Sequence, residues 1–168
     1  MEQSPNVDDL LREDEAAILE EARTRVARLE HYRRDGDDAT RERLAGLYRR
    51  LARAVRTRDL DDLLAHAERV ARERQAAGFD LAEVHAAFSA LEEAIWRRAA
   101  DRLSLDEQAW GLGLVTTALA HAKEALGRAY LAAAPSGHAP SVDLTPVFRL
   151  SGRRAAPDRR AEEFVYPV

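Results

Sequence analysis

The chain has 168 residues and a mass of 18.8 kDa, with 46% hydrophobic and 33% charged residues, which is typical of one globular domain. It contains no cysteine, which excludes disulfides and thiol chemistry, and its formal net charge of −4 gives no reason to expect nucleic acid as a partner. No apolar run approaches the roughly 20 residues of a membrane span, and the N-terminus lacks a signal-peptide pattern, so we expect a cytoplasmic protein without membrane contact.

The prolines divide the chain into two parts. Five of the six lie at or beyond residue 135, and the sixth is Pro5. Because a proline inside a helix costs about 3 kcal/mol, the proline-free stretch, which is rich in alanine, leucine, arginine and glutamate, predicts helices. Strand patterns are almost absent. We predict an all-α domain over residues 1–134 and a largely irregular tail over residues 135–168.

Turn and capping residues divide the helical stretch into five predicted helices. The first spans Val7 to Arg33 and ends at a turn around Gly36, and the second spans about Asp38 to Arg56. The third begins after Asp59 and ends at Gly78. Each presents one stripe of apolar residues with helical spacing.

Two capping patterns mark the starts of the last two helices. Asp80 precedes Glu83 by three residues, and Ser104 precedes Glu107 in the same way. The fifth helix runs to about Ala133. Helices of about 20 residues joined by short links fold back as neighbours, so the predicted fold is an antiparallel up-and-down bundle of four to five helices with an extended C-terminal tail.

The fifth predicted helix is apolar on two faces, and its neighbourhood supplies our candidate ligand or interface residues. A helix of this kind is central, or is covered by a second subunit, so we expect a homodimer. Gly111 and Gly113 beside Trp110 favour close helix packing, with a small-ligand pocket as the alternative. The candidates are Trp96, Trp110, Gly113, His121 and His85.

No nucleotide, hydrolase or zinc-protease motif is present, and we expect no enzyme activity, cofactor or metal. The alternative is a haem- or metal-binding bundle that uses His85 and His121. Each lies 18 residues from Leu103 on opposite sides of the predicted turn, so both fall at one level of the bundle. No Glu-x-x-His motif of di-iron bundles occurs, which favours ordinary histidines.

Arginines are concentrated in and around the second predicted helix. Such a stripe could bind an acidic partner or nucleic acid. Because the first predicted helix is strongly acidic at its start, we favour pairing within the protein. The arginines concerned are Arg33, Arg34, Arg41, Arg43, Arg49, Arg50, Arg53, Arg56 and Arg58.

The tail contains two short apolar clusters in an otherwise polar segment. We favour a tail that is frayed or packs on its own domain. The alternative is a segment that docks a separate effector protein. The candidate docking residues are Val147, Phe148, Leu150, Phe164 and Tyr166.

One segment resembles a known family. The chain is similar, over about residues 10 to 131, to the helical N-terminal domain of RsbRD-type co-antagonists of the RsbT kinase, which also precedes PucR-like regulators and sensor kinases. The distinctive part of the resemblance is residues 72 to 96. The matching residues are Arg74, Gly78, Phe79, Leu81, Leu91, Ile95 and Trp96. The resemblance implies a sensory or regulatory domain, often dimeric, without catalysis of its own. No STAS, kinase or DNA-binding segment follows residue 134, so the signal would pass to a separate protein.

Overall fold

Seven helices make up residues 5–134, the part of the chain that the computed structural model describes. Helix covers 87% of these residues and they contain no strand, which confirms the all-α prediction. The predicted tail lies outside the described residues. The helices are α1 (Val7–Glu13), α2 (Glu15–Val26), α3 (Glu30–Asp35), α4 (Asp37–Thr57), α5 (Asp61–Ala76), α6 (Leu81–Arg102) and α7 (Leu105–Ala133).

The predicted first helix is three helices, so the expected count of four to five was wrong. The chain leaves the helical path at Asp14 and again at Leu29, where the backbone is extended with ψ 142°. Arg102 of α6 holds the first break, because it donates to Asp14 at 2.6 Å and to Glu13 at 2.8 Å. An unbroken helix of this span would be about 40 Å long. The breaks instead let the short α1 bury Val7, Leu10 and Leu11.

The predicted starts of the last two helices are confirmed. The Asp80 carboxylate accepts from the Ala82 amide at 2.9 Å, and the Ser104 hydroxyl accepts from the Glu107 amide at 3.4 Å. Gly78 has φ +78°, which explains why α5 ends there. Glu83 does not close the expected capping box, because its carboxylate pairs with the imidazole of His31.

The longest helix, α7, forms the centre of the packing. It lies mainly against α5 and also against α6, while α2 lies against α6. All described residues belong to one compact unit. In the part of the chain that the structure describes, no helix has the length and apolarity needed to cross a membrane. The bulkiest fully buried side chains are Tyr48, Leu10, Ile18, Leu51, Leu63, Leu91, Ile95, Leu119 and Leu126.

Candidate functional site

An apolar surface remains exposed where α6 and α7 meet. Trp96 of α6 is 49% exposed, and Trp110 of α7 is 65% exposed. Leu105, at the first turn of α7, is 81% exposed. Large apolar side chains grouped on a surface mark an interaction site more often than isolated ones do. Two of the five ligand or interface candidates therefore lie on one exposed surface.

The two glycines beside Trp110 have opposite roles. A β-carbon at Gly111 would lie 2.6 Å from the β-carbon of Val7, so this glycine permits close packing of α1 against α7. A β-carbon at Gly113 would meet no atom within 4 Å. Gly113 therefore faces open space on the side of α7 that carries Trp110.

Two open hollows flank this side of α7. One, of about 500 Å³, lies between α6 and α7 and includes Trp96 and Leu105. The other, of about 450 Å³, lies between α7 and the α4–α5 connection and includes Trp110. Ala109 and Gly113 line both, so they form a low ridge between them. The Trp96 indole donates to the Thr116 hydroxyl at 3.4 Å beside this ridge.

The ridge belongs to a stretch of α7 without charged side chains. Residues 109–120 contain no aspartate, glutamate, lysine or arginine, although a third of the whole chain is charged. We call the exposed residues of this stretch the α7 outer face. They are Ala109, Trp110, Gly113, Thr116, Thr117 and Ala120.

The histidine candidates lie on different helices, and one of them adjoins the α7 outer face. His121 is exposed on α7, one residue beyond the uncharged stretch, and His85 of α6 is partly buried with an Nε2 atom that makes no hydrogen bond. Within residues 5–134 no group of three or more histidine, aspartate or glutamate side chains is arranged to hold a metal ion.

The segment that carries the family resemblance forms the α5–α6 turn. The Arg74 guanidinium lies 4.6 Å from the Phe79 ring centroid, and the Phe79 amide donates to the Arg74 carbonyl at 3.0 Å. The Tyr130 hydroxyl of α7 donates to the Phe79 carbonyl and so connects α7 to this turn. Phe79, Leu91 and Ile95 are buried, whereas Trp96 is the matching aromatic residue left exposed.

Part of the α4 arginine stripe faces the acidic start of the predicted first helix, as expected, because Arg49, Arg53 and Arg56 line one cleft with Asp8 and Glu15. Arg50 and Arg53 also approach Asp62 of α5, at 3.5 and 4.0 Å. The acidic residues at the α1–α2 junction are occupied by Arg102 of α6, described above. Pairing within the protein is thus confirmed for Arg50 and Arg53, whose ion-pair partner lies on α5.

A third cavity, which the sequence interpretation missed, lies between α4, α5 and α6. Its volume is about 320 Å³, at the lower end of ligand clefts. Its apolar wall includes Leu47, Val84 and Phe88. We call it the arginine cavity because five arginines and two glutamates also line it: Arg43, Arg49, Arg50, Arg69, Arg74, Glu42 and Glu73.

His66 of α5 lies in the wall of the arginine cavity and is only 7% exposed. Burial lowers the pKa of His66 from 6.5 to about 4, and the positive charges of Arg50 and Arg69 act in the same direction. Arg69 approaches the His66 Nδ1 atom at 2.8 Å. Because a guanidinium can only donate, Nδ1 accepts, and the proton of the neutral ring sits on Nε2.

Two sequence signals could have drawn attention to the arginine cavity. Gly46 lies inside the long helix α4, where glycine is unfavourable unless space is needed. His66 occupies the apolar stripe of α5, three residues after Leu63. These signals lie on separate helices, and only the fold brings Gly46 and His66 together.

No family model matches the chain, and neither the curated proteins nor the solved structures include one with significant similarity to it. The α7 outer face and the arginine cavity are therefore the two features of the molecule that bear on its function. The tail residues proposed for effector docking, Val147, Phe148, Leu150, Phe164 and Tyr166, lie outside the described residues.

Proposed function

We propose that this chain is a non-enzymatic regulatory domain that acts through protein contacts, and that its α7 outer face pairs with that of a second copy. The observation that carries the proposal is the exposed surface around Trp96, Trp110 and Gly113, in which residues 109–120 of α7 carry no charge and Arg58 borders the hollow beside Trp110. The two hollows beside it are open to solvent, which suits a protein surface better than an enclosed small molecule. We also propose that the helices are arranged as an antiparallel up-and-down bundle.

A second copy fits this surface better than an arbitrary partner. In a two-fold dimer each patch meets an identical patch, so like charges would face one another across the axis. Residues 109–120 contain no charge, which removes that repulsion. Small residues at helical spacing, Ala109, Gly113, Thr116 and Ala120, would let two copies of α7 approach closely.

The exposed tryptophans supply the remaining part of a dimer contact. Trp96 and Trp110 lie on opposite sides of the small-residue ridge, each beside a hollow. In a symmetric pair, a tryptophan of one copy can insert into a hollow of the other. Tryptophans that fill pockets at the centre of an interface commonly dominate binding energy.

The family resemblance supports the regulatory part of the proposal. We propose that the chain is related to the helical domains of RsbRD-type co-antagonists. Two of the matching residues have a structural role in the α5–α6 turn, since Gly78 has a positive φ and Phe79 is buried. Trp96 has no such role, because its side chain is exposed. An effector that binds the tail stays a prediction, since residues 135–168 lie outside the described range.

The test is the oligomeric state of the full chain and of two matched variants, measured by sedimentation equilibrium. Trp110→Glu places a charge at the centre of the surface, and like charges facing each other across an interface cost several kcal/mol. We expect a dimer for the wild type and a dissociation constant at least about a hundredfold higher for Trp110→Glu.

Leu131→Glu is the matched control. Leu131 is 69% exposed on the same helix, about 30 Å further along its axis. The control variant should remain as dimeric as the wild type. A monomeric wild type, or equal dissociation of both variants, would overturn the dimer. Circular dichroism of both variants checks that the helices are retained.

A further inference from the structure

Two arginines in the wall of the arginine cavity are anchored by neutral acceptors. One terminal nitrogen of Arg50 donates to the Gly46 carbonyl at 2.9 Å, and Arg69 donates to the ring of His66 at 2.8 Å. The nearest carboxylate oxygens are those of Asp62, 3.5 Å from Arg50, and Glu73, 3.6 Å from Arg69. The carboxylates of Asp62 and Glu73 thus lie within ion-pair distance of the two guanidinium groups but are too far away for short hydrogen bonds.

The neighbourhood raises the cost of this arrangement. The Nε atom of Arg50 is buried and makes no hydrogen bond. His66 between the two arginines is kept neutral by burial and by their positive charges, while Asp62 acts in the opposite direction. A buried donor without an acceptor is unfavourable, and an anion in the cavity would satisfy the Arg50 Nε atom.

The opposite wall of the cavity has a different character. Leu47 of α4 and Val84 and Phe88 of α6 present apolar side chains to the same space. All three are buried by the fold, so the wall is preformed. A cavity that joins an apolar wall to a positively charged rim matches a molecule with one apolar part and one anionic part.

We propose that the arginine cavity binds a small amphipathic anion, whose carboxylate or phosphate head contacts Arg50 and Arg69 and whose apolar part lies against Leu47, Val84 and Phe88. The anionic head competes with Glu73 for Arg69, at a separation where the Glu73 contact is weak. This site is separate from the α7 outer face, and none of its lining residues belongs to that face.

The probe for the test is octanoate, which has a single carboxylate and an unbranched apolar chain. Isothermal titration of the full chain compares octanoate with octyl phosphate, with octanol as the uncharged match and with acetate as the head alone. We expect octanoate or octyl phosphate to bind at least about tenfold more tightly than octanol or acetate, because the charge-assisted contacts and the apolar contacts are both needed. The tighter of the two identifies the head group.

Gly46 supplies a pair of variants that differ only in size. A β-carbon at Gly46 would meet Arg50 at 3.7 Å and His66 at 3.9 Å, which is ordinary contact, so Gly46→Ala should leave the cavity open. The longer side chain of Gly46→Leu extends into the space between Arg50 and His66 and should abolish binding. Both substitutions replace a glycine inside a helix and should preserve helix content.

Two further variants separate the head contact from the rest of the protein. Arg50→Gln should weaken binding of the preferred anion at least about tenfold while binding of octanol stays the same. Trp110→Glu, which alters the α7 outer face, should leave anion binding unchanged. The test of anion binding therefore stands even if the chain proves not to form a dimer. The proposal is overturned when neither anion binds more tightly than octanol, or when Gly46→Leu or Arg50→Gln binds the anion as the wild type does.

Discussion

The α7 outer face and the arginine cavity are both partly apolar, and they differ in depth and in charge. The outer face contains no charged residue over residues 109–120 and exposes Trp110 by 65%. The arginine cavity is recessed between three helices and is lined by more arginines than glutamates. An exposed uncharged surface gains most from covering by another protein, whereas a recessed charged one gains most from a small counter-charged molecule. One domain thus offers two chemically distinct binding surfaces.

The largest expected effect on the free energy of unfolding comes from adding a methyl group to the buried side of α7, compared with its exposed side. Gly111→Ala puts a β-carbon 2.6 Å from that of Val7, which cannot rotate away because it is fixed to the backbone of α1. Overpacking of this kind costs about 1–3 kcal/mol. Gly113→Ala meets open space and should stabilise the helix by about 1 kcal/mol.

Urea unfolding of the two glycine variants, at a protein concentration where the chain is monomeric, measures this contrast. The two substitutions add the same methyl group two residues apart, so each is the control for the other. Equal effects on the free energy of unfolding would show that α1 does not pack against Gly111.

A second prediction tests the environment of the arginine cavity through pH. The pKa of His66 is about 4 in the folded protein against an ordinary value of 6.5, so the unfolded chain binds the proton more readily. The contribution of the neutral His66 ring to the free energy of unfolding is therefore fully present above pH 6.5, and it is lost as the pH falls toward 4. Burial is the main cause; Arg50 and Arg69 add to it, and Asp62 opposes it.

Between about pH 7 and about pH 5, His66 should account for a loss of about 2 kcal/mol in the free energy of unfolding. His66→Gln, which cannot titrate, is compared with the wild type by urea unfolding at both pH values. A pH dependence that is as steep in the variant would show that the histidine is not buried among these arginines. The six residues of the α7 outer face contain no titratable side chain.

The smallest expected effect is the response to salt, which distinguishes the two surfaces directly. Raising sodium chloride from about 0.05 M to about 0.5 M shortens the Debye length and should weaken anion binding at the arginine cavity severalfold. The dimer contact through the α7 outer face should not weaken, because it contains no ion pair to screen. Titration and sedimentation at both salt concentrations measure the two constants, and a dimer that dissociates with salt would contradict an uncharged interface.

Short-range signals explain why the ends of α5, α6 and α7 were predicted well. Asp80 and Ser104 cap helices through amides two and three residues away, and Gly78 ends α5 by its own backbone conformation. These interactions need no distant partner. The family resemblance lies on the α5–α6 turn and on α6, and Trp96 within it is exposed as an interface residue would be.

Long-range contacts explain what was missed. No glycine or proline marks the break at Asp14, which is held by Arg102, a residue 88 positions away in the chain. Glu83 follows the capping pattern of α6, yet its carboxylate pairs with His31 on α3. A local pattern cannot show which of two partners a side chain will choose, because both choices satisfy the same hydrogen-bonding groups.

The sequence by itself determined the all-α class, the ends of the long helices and the uncharged stretch of α7, because each depends on residues close together in the chain. Only the tertiary structure decided that Gly111 packs against Val7 while Gly113 remains open, and that Gly46 and His66 meet in one cavity. Cavities and exposed faces arise where separate helices meet. Their position depends on the packing of the whole domain, which no local stretch of sequence specifies.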